Sequence, residues 1–303
     1  MAPRLRLTAT AAQLHALVAM REAENFTLAA RRLGIAQPTV HRAIGQLEQE
    51  AGRALFERTS HGMLATRAAQ ALAGAARLAF AEFEQAEADV AEIAGRGVGR
   101  LGVGAMPLSR SSILPSAIAA FRRARPTQPI LVRDGSYDEL LAGPRRGEID
   151  LLIGALREPA PIGDVEQQIL FHDDLVVVAG AHHPLVGRAA SPPAELARYP
   201  WVVARAGTPT RAHFDRLFDG TKAPTSVVES GSVILARELL DNSDHLACMS
   251  RVQARVAVAR GLMTILPVEV PGSARPIGLT LRSGWLPTRA QDDFLRALRS
   301  EGS

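Results

Sequence analysis

The chain has 303 residues, 47% of them hydrophobic, so it can bury a large core and is expected to contain about two domains. Its one cysteine, Cys248, excludes an intrachain disulfide and a cysteine-based metal site, and no apolar run is long enough for a membrane span. The formal net charge is +4, and residues 1–70 carry all of this excess, with nine Arg against five Glu. A basic N-terminal segment suits a nucleic-acid partner, because Arg side chains are attracted to phosphates.

The first apolar stretch predicts a helix rather than a secretion signal. Leu14, Leu17 and Val18 recur with helical periodicity, while Gln13 and His15 interrupt the stretch that follows the N-terminal arginines. A cytoplasmic location is therefore expected.

Residues 26–45, FTLAARRLGIAQPTVHRAIG, have the spacing of a helix-turn-helix. Ala30 is small where two helices must approach, Gly34 can adopt the left-handed backbone of the turn, and Val40 is apolar where the second helix packs on the first. The alternative is a small surface helical hairpin without a DNA-binding role. The segment that follows favours the DNA-binding interpretation.

Capping residues predict where the two helices begin. Thr27 is expected to cap the first helix, with Phe26 before it as a hydrophobic staple. Gln37-Pro38 is expected to open the second helix, because proline is tolerated in a first turn. On that second helix Val40, Ile44 and Leu47 would face the core. The outer surface would carry side chains of the kinds that contact phosphates and base edges: Gln37, Pro38, Thr39, His41, Arg42 and Gln46.

Residues 55–64, LFERTSHGML, predict two short strands joined by a turn at His61-Gly62. A hairpin directly after a recognition helix is a wing. Its tip would lie near the DNA backbone or minor groove, where Arg58 and His61 could reach phosphate.

The segment after Thr66 predicts a long helix, since it is rich in Ala, Glu and Arg and has no proline until Pro107. Its apolar residues alternate at spacings of four and three, which is a three-heptad seam typical of a paired helix. A single amphipathic helix packed on its own domain is the alternative. A dimer would place two recognition helices in major grooves about 34 Å apart, or a multiple of that distance. The predicted dimerisation residues are Leu72, Ala76, Ala79, Phe83, Ala86, Val90 and Ile93.

The glycines at residues 95–99 predict a hinge after this helix. Together with residues 100–102 they contain a literal GxGxxG. A dinucleotide site is excluded, because the fingerprint needs a strand before it and a helix opening within it, and here a helix precedes and a strand follows.

From residue 100 onward, predicted strands and helices alternate, which implies parallel sheets flanked by helices. Strands are predicted at 101–105, 130–133, 149–153, 175–179, 201–203, 226–228, 246–249, 264–266 and 277–281. Helices are predicted at 112–123, 137–141, 210–217, 233–240, 252–258 and 290–299.

Polar loops follow several of these strands, where such sheets bind ligands. Their hydroxyls, free backbone N–H groups and arginines suit a small carboxylate or another anion. Each residue taken alone could equally be an ordinary helix cap. The candidate effector-binding residues are Leu108, Ser109, Arg110, Ser136, Ala155, Thr208, Ser230 and Arg251.

The sequence gives little support for catalysis, a metal or a cofactor, and none is expected. His182-His183 and His172 have no partner at a recognisable metal-ligand spacing, so a loop histidine pair is the preferred interpretation. Asp173-Asp174 is expected to start a strand, and Cys248 to be a buried structural thiol. GxSxG, P-loop and HExxH motifs are absent from the sequence.

Four segments of this sequence resemble the LysR-type transcriptional regulators: FTLAARRLGIAQPTVHRAIGQLEQEAGRALFER, LGVGAMPLSRSSILPSAIAAF, GEIDLLIGALREP and LVVVAGAHHPL. These segments are most similar in sequence to the branch of the family that contains regulators of sugar-binding proteins and of aromatic-acid catabolism. The resemblance implies an α+β protein: a winged helix-turn-helix (1–68), a linker helix and hinge (69–98), and a two-lobed α/β effector domain (99–303) like a periplasmic binding protein. Lobe I would comprise 99–173 and 276–303, and lobe II 174–275.

By the same resemblance, Gln37, Pro38, Thr39, His41 and Arg42 would meet DNA. Thr27 would touch a phosphate, Arg58 and His61 would serve the wing, and Ser109, Ser136 and Thr208 would lie where inducers bind. The chain departs from the family pattern at Ala36, His41, Gly45, His61 and Ala68, which affects the operator sequence rather than the DNA-binding role.

The leading hypothesis is a sequence-specific transcription regulator that responds to a small anionic effector. A solute-binding module with a helical adaptor and no DNA role is the alternative, and an enzyme is the least favoured reading. Expected partners are double-stranded operator DNA, the effector, and copies of the same chain in a homodimer or homotetramer. RNA polymerase is a further partner that this role allows, and no membrane partner is expected.

Overall fold

The computed structural model describes residues 8–60, 62–94, 99–160 and 165–301. These residues form two compact units. The first contains the residues up to 94 together with the short segment 145–148, and the second contains 99–144 and 149–301. His61 and most of the predicted glycine hinge lie outside the described residues.

The first unit is a winged helix-turn-helix followed by a long helix, as predicted. The strands of the wing pair antiparallel, with Phe56 opposite Ala65 and Thr59 opposite Gly62. The elements are α1 (Ala11–Ala23), α2 (Phe26–Leu33), α3 (Gln37–Ala51), β1 (Phe56–Thr59), β2 (Gly62–Ala65) and α4 (Arg67–Ile93).

The core of this unit is built from one apolar face of each short helix. Val40, Ile44 and Leu47 of α3 are at most 2% exposed, as the helical period predicts. They belong to the same buried cluster as Leu17 and Met20 of α1. Packing on one side of α3 leaves its opposite side free for another role.

The predicted start of α2 is wrong by two residues. Asn25, not Thr27, is the N-cap, and its side-chain oxygen accepts a hydrogen bond from the Leu28 amide at 3.0 Å. Thr27 already lies within the first turn. Gly34 ends α2 with a φ of 66°, in the left-handed region that favours glycine, as predicted. At the start of α3, Ala36 makes no side-chain capping bond, because a methyl group has no acceptor.

Gly45 weakens α3 without a packing reason, and Gly45→Ala should therefore stabilise the DNA-binding domain by about 0.5–1 kcal/mol. A Cβ atom at Gly45 would meet nothing within 4 Å. Thermal unfolding of the full chain should show a higher midpoint for the variant. Gly52→Ala is the matched control: Gly52 has a φ of 64°, so alanine there should lower the midpoint. A midpoint lowered by Gly45→Ala would contradict the prediction.

The second unit contains two lobes, each built on a five-stranded sheet flanked by helices. Its elements are β3 (Leu101–Ala105), α5 (Pro107–Arg110), α6 (Ile113–Ala124), β4 (Ile130–Arg133), α7 (Tyr137–Arg145), β5 (Leu151–Ala155), β6 (Val165–Asp173), β7 (Leu175–Gly180), α8 (Pro193–Leu196), β8 (Trp201–Val203), α9 (Pro209–Leu217), β9 (Val227–Glu229), α10 (Val233–Asn242), β10 (Leu246–Ser250), α11 (Arg251–Ala259), β11 (Met263–Ile265), β12 (Arg275–Arg282) and α12 (Arg289–Glu301).

Both sheets are mixed, so the prediction of parallel sheets is wrong in part. The strand orders are β4-β3-β5-β12-β6 in lobe I and β11-β7-β10-β8-β9 in lobe II. β3 runs parallel to β4 and β5, and β8 runs parallel to β9 and β10. β12 runs antiparallel to β5 and β6, because the chain leaves lobe I along β6 and returns along β12.

The chain crosses between the lobes twice. It passes from β6 to β7 through Asp174, and from β11 back to β12 through residues 266–274. The expectation that Asp173-Asp174 starts a strand is wrong: Asp173 ends the nine-residue strand β6, and β7 begins at Leu175. The two crossings give the two-lobed fold that was predicted.

Each lobe has its own apolar core. Phe121 and Phe294 meet edge to face in lobe I, with ring centroids 5.4 Å apart. Trp201 is fully buried in lobe II against Phe214, and its indole N–H donates to the Leu196 carbonyl at 3.0 Å. Within the described ranges, no helix combines the length and apolar character needed to cross a membrane.

Candidate nucleic-acid interface and effector cleft

The outer surface of α3 is exposed. The predicted DNA-contacting residues on it are all exposed: Gln37, Pro38, Thr39, His41, Arg42 and Gln46. The same helix buries Val40 and Ile44 on its opposite side. A helix with this division can lie in a major groove while the domain stays folded.

The guanidinium groups of Arg42 and Arg58 have no side-chain partner in the described part of this domain. Within the part of the chain that the structure describes, neither Arg42 nor Arg58 makes a side-chain hydrogen bond or an ion pair, and both are exposed. Arg32, by contrast, pairs with Glu22 at 3.2 Å. Arg42 and Arg58 are therefore available to contact DNA.

A small polar cluster connects the beginnings of α2 and α3. The Thr27 hydroxyl donates to the Gln37 side-chain oxygen at 3.3 Å, and Gln37 Nε2 lies 3.5 Å from His41 Nε2. The His41 ring stacks on Phe26, with centroids 3.6 Å apart and an interplanar angle of 13°. The sequence did not reveal this stacking, because the two residues belong to different helices.

Gln46 is tied to the first helix. Its side-chain oxygen accepts a hydrogen bond from Gln13 Nε2 at 3.0 Å. This contact already explains a polar side chain at position 46, and DNA contact by Gln46 stays a prediction.

The predicted dimerisation seam on α4 divides into two parts. Leu72 packs on the core of the winged domain, and Ala76 is only 3% exposed, so these two positions are used within the chain. Phe83, Val90 and Ile93 are 69%, 62% and 70% exposed. The second half of the helix thus presents an apolar stripe to solvent, whereas the first half fits the alternative of a helix packed on its own domain.

The predicted effector-binding hydroxyls of Thr208, Ser136 and Ser230 make local hydrogen bonds. Thr208 caps α9 by accepting from the Arg211 amide at 3.3 Å. The Ser136 hydroxyl and amide both donate to Glu139 at 2.7 Å, which lowers the pKa of that carboxyl. Ser230 accepts from the Ser232 amide at 3.1 Å. These contacts are the ordinary structural roles that each residue taken alone would have.

Ser109 does not face a cleft. It is fully buried, and its hydroxyl lies 2.8 Å from the carbonyl oxygens of both Met106 and Ile153. Its neighbour Leu108 is buried as well, and Ala155 is partly buried at the end of β5. This geometry favours a structural role for Ser109 over direct effector contact.

The predicted arginines in these loops are held in ion pairs. Arg110 meets Asp134 at 2.7 Å. Arg251 binds Asp174 through two nitrogens, at 2.8 and 2.7 Å, and these hydrogen bonds lower the pKa of Asp174. Arg251 thus fastens the start of α11 to the crossing between the lobes.

Arg275, which the sequence analysis missed, is the most unusual cation in the second unit. Its side chain is 18% exposed, and burial lowers the pKa of the guanidinium. Its Nη2 lies 3.7 Å from Asp173, which is too long for a hydrogen bond, and its Nη1 lies 3.4 Å from the Thr210 hydroxyl. Its Nε is buried and has no hydrogen-bond partner among the described residues.

Asp173 is an incomplete partner for this cation. Its Oδ1 accepts from the Val252 amide at 3.2 Å, but its buried Oδ2 has no hydrogen bond in the described structure. Burial raises the pKa of the Asp173 carboxyl. Arg157, whose guanidinium lies 4.2 Å from the Tyr137 ring centroid, is close enough to lower the pKa of Arg275 further. The Arg275 guanidinium is therefore a largely buried cation whose neighbouring carboxylate does not hydrogen-bond to it.

The histidine pair and the cysteine have structural environments. Buried His183 accepts a hydrogen bond from the Leu185 amide through Nδ1 at 3.1 Å, while His182 is exposed. Cys248 is buried, and burial raises the pKa of its thiol to about 12, which favours the structural role predicted for it. In the described ranges, His, Cys, Asp and Glu side chains form no group of three that could hold a metal ion.

Comparison with known proteins identifies the class of protein that this architecture defines. Residues 11–70 match the bacterial regulatory helix-turn-helix protein, lysR family, and residues 94–303 match the LysR substrate binding domain. The chain belongs to the LysR family of transcription regulators. It is 35% identical over 292 residues to the HTH-type transcriptional regulator GalR of Pseudomonas putida, which covers 95% of this chain and 73% of GalR.

A second curated relative and a solved structure cover nearly the whole chain. The HTH-type transcriptional regulator PcaQ of Agrobacterium fabrum is 27% identical over 289 residues, covering 94% of this chain and 93% of PcaQ. The crystal structure of ArgP from Mycobacterium tuberculosis has a TM-score of 0.73 at 18% identity, covering 96% of each chain, and shows the shared fold. The family consists of DNA-binding regulators with an effector-binding domain rather than enzymes, which confirms the transcription-regulator hypothesis over the solute-binding alternative. The anionic character of the effector stays a prediction.

Proposed function

We propose that this regulator reads operator DNA with the exposed side of α3 and is controlled by a small anionic effector bound between the two lobes. The observation that carries the DNA-reading role is the outer surface of α3, with Arg42 exposed and unpaired in the described structure. Arg42 and Gln37 have the side chains that form bidentate contacts with guanine and adenine edges. Thr27 and Arg58, which are both exposed, would contact phosphates and thereby set the position of the domain on the duplex.

The proposed assembly is a homodimer or homotetramer acting on DNA in the cytoplasm. The exposed stripe of Phe83, Val90 and Ile93 on α4 supports pairing of two chains through that helix. A symmetric pair would present two copies of α3 to two half-sites. Effector binding would change the angle between the lobes and thereby the spacing of the recognition helices.

Arg275 supports the proposal that the effector is an anion. Its guanidinium lies where lobe I meets helix α9 of lobe II, beside an Asp173 carboxylate that does not hydrogen-bond to it. A buried, half-satisfied ion pair is costly, so a carboxylate ligand that accepts from Arg275 would stabilise the site. Thr208 and Thr210 at the beginning of α9 add a helix N-terminus to the same region.

Arg275→Gln tests this assignment. The probes are sodium pyruvate, sodium benzoate and sodium gluconate, added separately to the full chain in thermal-shift titrations. A probe that raises the melting midpoint of the wild-type chain should raise that of Arg275→Gln by less, with apparent affinity reduced about 10-fold or more, as expected when a charge-assisted hydrogen bond is lost. Arg198→Gln removes the same charge from an exposed part of lobe II and should respond like the wild type. An unchanged response of Arg275→Gln would contradict the role of Arg275.

A further inference from the structure

The amide of Gln37 has a side-chain contact at each end. Its oxygen accepts from the Thr27 hydroxyl at 3.3 Å. Its nitrogen lies 3.5 Å from His41 Nε2, within reach of a hydrogen bond when that ring nitrogen carries no proton. Gln37 and His41 are four residues apart on α3, so they share one side of the helix.

His41 is itself fixed by the domain core. Its ring lies flat on the Phe26 ring, with centroids 3.6 Å apart. Phe26 is the first residue of α2 and packs partly against the buried cluster of the domain. A continuous set of contacts therefore runs from the core through Phe26 and His41 to the side chain of Gln37.

The two contacts leave Gln37 with the groups that a base edge requires. A side-chain amide has two oxygen lone pairs and two N–H donors, so one of each stays free after the bonds to Thr27 and His41. One acceptor beside one donor is the arrangement that glutamine uses for a bidentate contact in the major groove. A side chain already held in one rotamer loses less conformational entropy on binding than a mobile one.

We propose that His41 is a positioning residue that orients the Gln37 amide for base reading, with the Phe26 ring as its support. This inference rests on the proposed DNA-reading role of α3. Replacing His41 should reduce the sequence preference at the base that Gln37 reads. The preference at the other base positions should stay unchanged.

Selection from a randomised duplex DNA library tests the inference with the full chain. Gln37→Ala identifies the base position in each half-site whose preference depends on Gln37. His41→Leu keeps an apolar contact with Phe26 but cannot hydrogen-bond, and Phe26→Leu removes the ring on which His41 stacks. Both variants should lose preference at the position found with Gln37→Ala, where a bidentate contact discriminates by about 5- to 150-fold. Gln49→Ala, an exposed glutamine on the same helix, is the control and should select the wild-type sequence.

The outcomes separate this inference from the proposed function. If His41→Leu and Phe26→Leu keep the full preference at the Gln37 position, or lose preference evenly at all positions, a positioning role for His41 is wrong. If the wild-type chain enriches no sequence at all, sequence-specific reading by α3 is wrong. Equal melting midpoints of His41→Leu and the wild type would show that loss of preference is not loss of fold.

Discussion

Arg42→Ala should reduce the affinity of the regulator for its operator by about 2–6 kcal/mol when both copies in a dimer are changed. One bidentate contact between arginine and a base contributes about 1–3 kcal/mol, and contributions at well-separated sites are roughly additive. Arg42 is exposed on the outer side of α3 and has no intramolecular partner in the described residues. Its loss should therefore weaken DNA binding without changing the stability of the fold.

Fluorescence anisotropy with a labelled operator duplex at fixed salt measures this effect. Arg53→Ala is the matched control, because it removes the same charge from an exposed position just after the end of α3. The control should change affinity only slightly and similarly for operator and unrelated DNA, as expected for a phosphate contact. Equal operator affinity of Arg42→Ala and the wild type would mean that α3 is not the reading helix.

The local architecture of the first unit was predictable because its signals lie within single elements. The period of Val40, Ile44 and Leu47 specifies which side of α3 is buried, and the structure buries those side chains. The break at Gly34 likewise specifies the turn. Capping was less predictable, since Asn25 and Thr27 are both good caps and only the path of the preceding chain selects Asn25.

The second unit was harder to predict because its missed features depend on contacts between distant segments. Strand β6 reads VEQQILFHD, which has too many polar residues for an evident buried strand, and it lies at the edge of its sheet. The direction of β12 depends on how the chain returns from lobe II. Burial of Ser109 depends on strand β5, whose Ile153 carbonyl its hydroxyl contacts.

The residues of the candidate sites were likewise predictable where the signal lies within one element, and not where a contact joins two elements. The outer residues of α3 follow from helical periodicity once the buried side is known. The stack of His41 on Phe26 and the pairing of Arg275 with Asp173 join residues from different elements, and nothing in their local sequence indicates the partner. Arg275 could have been noticed only as an arginine at the expected boundary between the lobes.

Placing a charge on the exposed half of the α4 seam should separate the paired chains and thereby greatly weaken operator binding. Phe83→Asp and Val90→Asp each remove a large apolar side chain, and burying such a side chain contributes about 1.5–3 kcal/mol. Each change would also place a carboxylate in the apolar contact between the paired helices, where burying a charge is costly. Two linked recognition domains bind about 10²- to 10⁴-fold more tightly than one, so the combined variant should lose most of that factor.

Sedimentation velocity and operator titration measure the two consequences separately. The variant that combines Phe83→Asp with Val90→Asp should sediment as a smaller species than the wild type. It should bind a full operator no more tightly than an isolated half-site. Ala88→Asp is the matched control, because position 88 lies about 200° around the helix from Ala86 and Val90. A combined variant that keeps both the wild-type sedimentation coefficient and the wild-type preference for a full operator would show that α4 does not hold the chains together. The exposed apolar stripe of α4 would then require another partner.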